Sequence, residues 1–141
     1  MEGERRTIRS AIRLPEQARG SVVRRAPGPQ LLVMLYDRLA ADVDIAGRSL
    51  EARDYLVTNE RLQHAQRIVR MLRHSLEPDG FTGGRDLLAL YDFLLAHLVE
   101  ANLRKDPELV LECAQIIAPL REAWQRAVNN PDRADGPRPV G

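Results

Sequence analysis

GGRDLLALYDFLLAHLVEANLRKDPELV, residues 83–110, decides how this chain folds. Its apolar residues Leu87, Leu90, Tyr91, Leu94, Leu98 and Ala101 recur at three- and four-residue steps. That is the period of a helix, not the alternation of a strand, and charges interrupt it well before the ~20 apolar residues a membrane span needs. Asp106, Pro107 and Glu108 then close one helix and open the next. The aspartate can cap a free N–H, the proline presets φ where its missing N–H costs nothing, and the glutamate meets the positive end of the helix dipole. Two long helices joined this tightly must reverse direction and pack side by side.

Working outward, the same signals recur. A first helix is expected from Pro29 to about Ala52, with Leu32, Leu35, Leu39, Val43, Ala46 and Leu50 on its core stripe. Asp54 caps a second to about Leu76 through Leu62, Ala65, Ile68, Val69 and Leu72, and Pro78, Asp79 and Gly80 stop it. After the loop EPDGFTGG, a third runs from about Arg85 to Arg104. The fourth presents Leu109, Val110, Cys113, Ile116, Ile117, Leu120, Trp124 and Val128 on one face, with a kink expected at Pro119. The fold class is all-α: an antiparallel up-and-down four-helix bundle over residues 28–128. A chain of 141 residues with 44% hydrophobic and only 4% aromatic residues fits one helical domain of this kind.

The ends read differently. Residues 1–27 carry seven arginines against three acids, leaving the remainder at −3, and Pro15, Gly20 and Pro27 break any long helix, so this is expected to be a flexible basic arm. Residues 129–141, NNPDRADGPRPVG, have almost nothing to bury and are expected to be a disordered tail. A net-negative body is not a nucleic-acid surface. One cysteine, Cys113, permits no internal disulfide, and the arginine-rich start lacks the apolar stretch of a secretory signal. The expectation is a soluble, unprocessed, cytoplasmic protein with no membrane insertion.

More apolar surface exists than one core requires. At about 100° per residue, Leu31, Met34, Ala41 and Ile45 form a second stripe on the first helix, and Phe93 falls outside the broad arc of the third, with Ala89 and Ala96. Broad stripes can simply be core, but Phe93 is expected to face outward, and exposed apolar residues between helices are the surface that accepts an amphipathic partner segment. Enzyme readings find little support. None of His64, His74 and His97 has a glutamate three residues before it, as a di-iron bundle requires. Glu60 and His64 share a face but make an ordinary surface pair, and Cys113 sits on an apolar stripe where a thiol acts as a small hydrophobe. Gly83 and Gly84 lack the strand and lysine of a phosphate loop. His97 at mid-helix leaves a histidine phosphotransfer bundle as one alternative. A general helical adaptor binding a different amphipathic helix is the other.

LLVMLYDRLAADVDIAG, the Leu-Tyr-Asp triplets at 35–37 and 90–92, the run Glu100, Ala101, Asn102, Leu103, the Asp106-Pro107 break and Trp124 together resemble the flagellin export chaperone family, FliS, over residues 27–128. The resemblance implies an antiparallel bundle in the cytosol with neither cofactor nor catalysis. It would bind the disordered C-terminal segment of flagellin, prevent premature polymerisation and deliver the client to a component of the flagellar type III export gate. Leu31, Met34, Ile45, Phe93 and Ala96 become the candidates for client contact. Tyr36 and Tyr91 of the triplets either join them or serve the fold through hydroxyls that find partners at the bundle edge. The chain departs from the family at its start: it has Ala-Pro-Gly-Pro where Ser-Pro is usual, and an arginine-rich arm without tyrosine. Ile8, Ile12, Leu14, Val22 and Val23 of that arm are candidates to cover part of the client groove, as the N-terminal segment does in relatives.

Overall fold

The computed structural model describes residues 28–80 and 82–130, so the expected arm and most of the expected tail lie outside the described residues. Four helices follow one another: α1 (Pro29–Glu51), α2 (Tyr55–His74), α3 (Gly84–Arg104) and α4 (Pro107–Asn129). Their ends are set by local chemistry. Pro29 and Pro107 occupy first-turn positions, and the carboxylates of Asp54 and Asp106 accept from the backbone N–H of Val57 and Glu108. Lys105 ends α3 in the left-handed region at φ 51°, and its Nζ donates to the Asn102 carbonyl at 2.7 Å, returning a cation to the negative end of the helix. α4 runs as one helix through Pro119. Pro119 removes the N–H that would meet the Gln115 carbonyl, and both residues lie on the exposed side of the helix.

The helices form a closed ring in which α1 packs against α2 and α4, α3 packs against the same two, and α1 and α3 stand diagonally opposite. The α3–α4 seam is the sparsest of the four. Leu39, Val43, Leu62, Val69, Leu94, Leu98 and Ile117 are fully buried along the axis, which is the four-helix core the apolar periodicity predicts. Polar pairs fasten the seams. Between α1 and α2, Asp42 is buried and pairs with Arg61 at 3.3 Å and with His64, while the hydroxyls of Ser49 and Thr58 lie 2.6 Å apart. Between α2 and α3, Asn102 donates its side-chain amide to Asn59 at 2.8 Å.

Two glycines in this frame call for opposite outcomes. A Cβ at Gly84 would sit 2.1 Å from the carbonyl oxygen of Pro78, because the loop after α2 lies directly on the start of α3. Gly84→Ala is expected to cost about 1–3 kcal/mol through that overlap. A Cβ at Gly47, inside α1, would meet Val110 at 3.7 Å, an ordinary contact. Gly47→Ala should therefore stabilise by about 0.5–1 kcal/mol, since glycine is a poor helix former. Thermal melts of the two variants should move to opposite sides of the parent.

Candidate partner-binding surface

The two Leu-Tyr-Asp triplets build a belt across the bundle. Tyr36 on α1 and Tyr91 on α3 point into the core from opposite sides, and their hydroxyls meet at 2.5 Å. The following aspartates turn the other way. Asp37 accepts from Arg121 of α4 at 2.6 Å, and Asp92 accepts from Arg73 of α2. One repeated triplet thus joins all four helices at one level, the tyrosines across the diagonal and the aspartates around the rim. Burial pushes the Tyr36 phenol up to about 12 although hydrogen bonds from Tyr91 and Trp124 oppose the shift, and Tyr91 is raised well above its ordinary value, first by burial and then by Tyr36.

Of the two roles expected for these tyrosines, this placement favours service to the fold. With 0% and 3% exposure, Tyr36 and Tyr91 offer a partner no surface. Each hydroxyl is satisfied by the other, so both rings occupy the core where an unpaired phenol could not. Tyr36 also takes the inward position expected of Leu35, which is only half-buried.

The outward surface divides into two faces. On α1, Met34 is 59% exposed and Leu31 37%, with Ala41 exposed and Ile45 half-buried beside them. On α3, Phe93 is 51% exposed, flanked by exposed Ala89 and Ala96. The Phe93 ring packs on His97 with centroids 4.5 Å apart, and His97 Nε2 is 2.7 Å from Glu112 of α4, which pins the aromatic beside the loosest seam. Since α1 and α3 are diagonal, the two faces look in opposite directions and the structure does not bring the five candidates into one groove. Leu56, Leu103 and Leu111, exposed to 70%, 76% and 57%, were not among the candidates. The signal for them was present, because each falls off the core stripe of its own helix at about 100° per residue.

The groups considered for chemistry are otherwise engaged. His97 is tied to Glu112 and Phe93, and His64 turns to Asp42 rather than toward Glu60. The Cys113 thiol is pushed up to about 12 by burial, with Glu112 adding to the shift, so it carries no thiolate near neutrality. Among the described residues no three His, Cys, Asp or Glu side chains converge to hold a metal, and no helix is long and apolar enough to cross a membrane.

Comparison with known proteins gives one answer. A family described as "Flagellar protein FliS" matches residues 13–131, reaching back into the basic segment before α1. The chain is 30% identical over 122 residues to the flagellar secretion chaperone FliS of Bacillus subtilis (strain 168), covering 85% of this chain and 90% of that protein. It is 31% identical over 108 residues to the protein of the same name from Salmonella typhimurium (strain LT2), covering 75% and 80%. It is 29% identical over 103 residues to that of Vibrio cholerae serotype O1, covering 72% and 76%. A helical bundle tied by the tyrosine pair and two aspartate–arginine pairs, matched over nearly its whole folded length, leaves a plain conclusion: the chain belongs to the FliS family.

Proposed function

We propose that this protein is a cytoplasmic export chaperone that binds the disordered C-terminal segment of flagellin, keeps it from polymerising early and delivers it to the flagellar type III export gate. The observation that carries the reading is the pair of apolar faces, one around Met34 on α1 and one around Phe93 on α3, exposed on a bundle whose core is already complete. A helix or strand meant only for the fold gains nothing from such residues in water, whereas a partner that covers them gains roughly 1.5–3 kcal/mol for each large side chain. Relatives of this chain are named as flagellar secretion chaperones, which supplies the partner class.

The same two faces support a wrapped mode of holding a client. Two faces on opposite sides of a bundle cannot be covered by one short helix, so the client must wrap, and a segment that is disordered when free can do so. Its ordering on contact opposes binding and keeps the complex releasable. Catalysis has no part in this role. Titrating the purified full-length protein with the C-terminal segment of flagellin from the same organism should give saturable binding and a gain in helical circular dichroism. A flat titration against an intact client segment would sink the proposal.

A further inference from the structure

A segment that covers both faces has to cross a helix between them, and the two routes differ in charge. α4 carries Glu108, Glu112 and Glu122 at exposed positions against Arg126 and Arg121, the latter already held by Asp37, and is net acidic. α2 is the opposite: its four arginines, Arg61, Arg67, Arg70 and Arg73, face a single acid, Glu60. Arg67, Arg70 and His74 recur at i, i+3 and i+7, a single exposed stripe about 10 Å long. Arg73 flanks that stripe and already holds one carboxylate, Asp92, from the neighbouring helix. Arg67 and Arg70 have no acidic partner among the described residues. Met71, 40% exposed, adds an apolar contact beside them.

We infer that α2 is the track on which bound polypeptide passes between the α1 and α3 faces, and that the stretch of client lying on Arg67, Arg70 and His74 is acidic. The inference rests on the wrapped-client reading above. Arginine suits the task because its planar guanidinium meets carboxylates through two parallel hydrogen bonds. This chain's own N-terminal segment is disfavoured as occupant by charge, since its seven arginines against three acids leave it net positive like the stripe. A polyanion such as nucleic acid is disfavoured by the net −3 of residues 28–141. A short acidic stretch touches only the stripe, because charges beyond a Debye length of about 8–10 Å are screened.

The test uses full-length protein, the same flagellin segment, and the variant Arg67→Glu/Arg70→Glu, whose positions are exposed and outside the core. The parent is titrated first, and absence of binding there overturns the chaperone reading itself. With parent binding established, the charge-reversed pair should bind about tenfold more weakly at low salt, and the deficit should shrink as salt rises. A client segment whose acidic residues are replaced by their amides should bind the parent more weakly than the native segment does, and its affinity should be little changed by the charge-reversed pair. Amide chemical-shift changes on titration should include α2. Equal affinity of parent and variant at low salt, or shifts confined to α4, would overturn the inference while leaving the chaperone reading intact. Tighter binding of a single-stranded oligonucleotide or of anionic vesicles than of the peptide, lost in the same variant, would overturn it in favour of a polyanion site.

Discussion

Raising the pH from 9 to 11 is expected to destabilise this protein by several kcal/mol, read as a falling melting temperature by helical circular dichroism. Three protonated groups are locked in the core, and the sign is the same for all. Cys113 is raised from 9.0 to about 12, Tyr36 from 10.0 to about 12, and Tyr91 well above 10.0, each chiefly by burial. A folded pKa above the unfolded one means that the unfolded chain gives up its proton first. The stability these groups contribute is complete below pH 9, falls once Cys113 can ionise in the unfolded chain, and falls faster above pH 10 when the tyrosines join. At pH 11 the loss is on the order of 3 kcal/mol from Cys113 and 1 from Tyr36, with Tyr91 adding in the same direction. Total stabilities of domains are about 5–15 kcal/mol, so this is a large fraction. The double variant Tyr36→Phe/Tyr91→Phe removes two of the three groups together with their shared hydrogen bond, and its melting temperature should fall less over the same pH range. Tyr36→Phe alone should instead lower stability by about 1–3 kcal/mol at neutral pH by stranding the Tyr91 hydroxyl. An alkaline fall in melting temperature that ignores the double substitution would show that the buried tyrosines do not contribute to it.

The contrast between those two variants also marks where sequence reading stops. The helices were legible because their signals are local. Asp54, the Asp106-Pro107 pair and Pro29 sit within one turn of the ends they set. The apolar periods of Leu62 to Leu72 and of Leu87 to Ala101 name the buried faces without reference to neighbours. What was not legible depended on a residue far along the chain. Tyr36 can be buried because Tyr91, 55 positions later, meets its hydroxyl. Asp42 can be buried because Arg61 and His64 reach it from α2. The exposure of Phe93 and Met34 was readable from helical angles, but that their faces point apart was not. It follows from α1 and α3 standing on a diagonal, a property of the ring rather than of either helix.

That diagonal makes the second large effect a test of geometry. Met34→Glu places a charge in the centre of the α1 face, and Phe93→Ala removes the aromatic from the α3 face, both at positions more than half exposed in the free protein. Neither should shift the melting temperature by much, because neither fills the core. Each should weaken binding of the flagellin C-terminal segment by about 10- to 100-fold, the equivalent of losing the burial of one large apolar side chain. The decisive quantity is the combination. Sites well separated, with no shared partner, contribute independently, so the double variant should lose the product of the two factors, with a coupling below about 0.5 kcal/mol. A client seated as one helix in one groove predicts otherwise, since it could touch only one face and the other substitution would be silent. Additive losses therefore require a client that reaches both sides of the bundle at once, and a silent Met34→Glu beside a damaging Phe93→Ala would confine it to α3 and its neighbours.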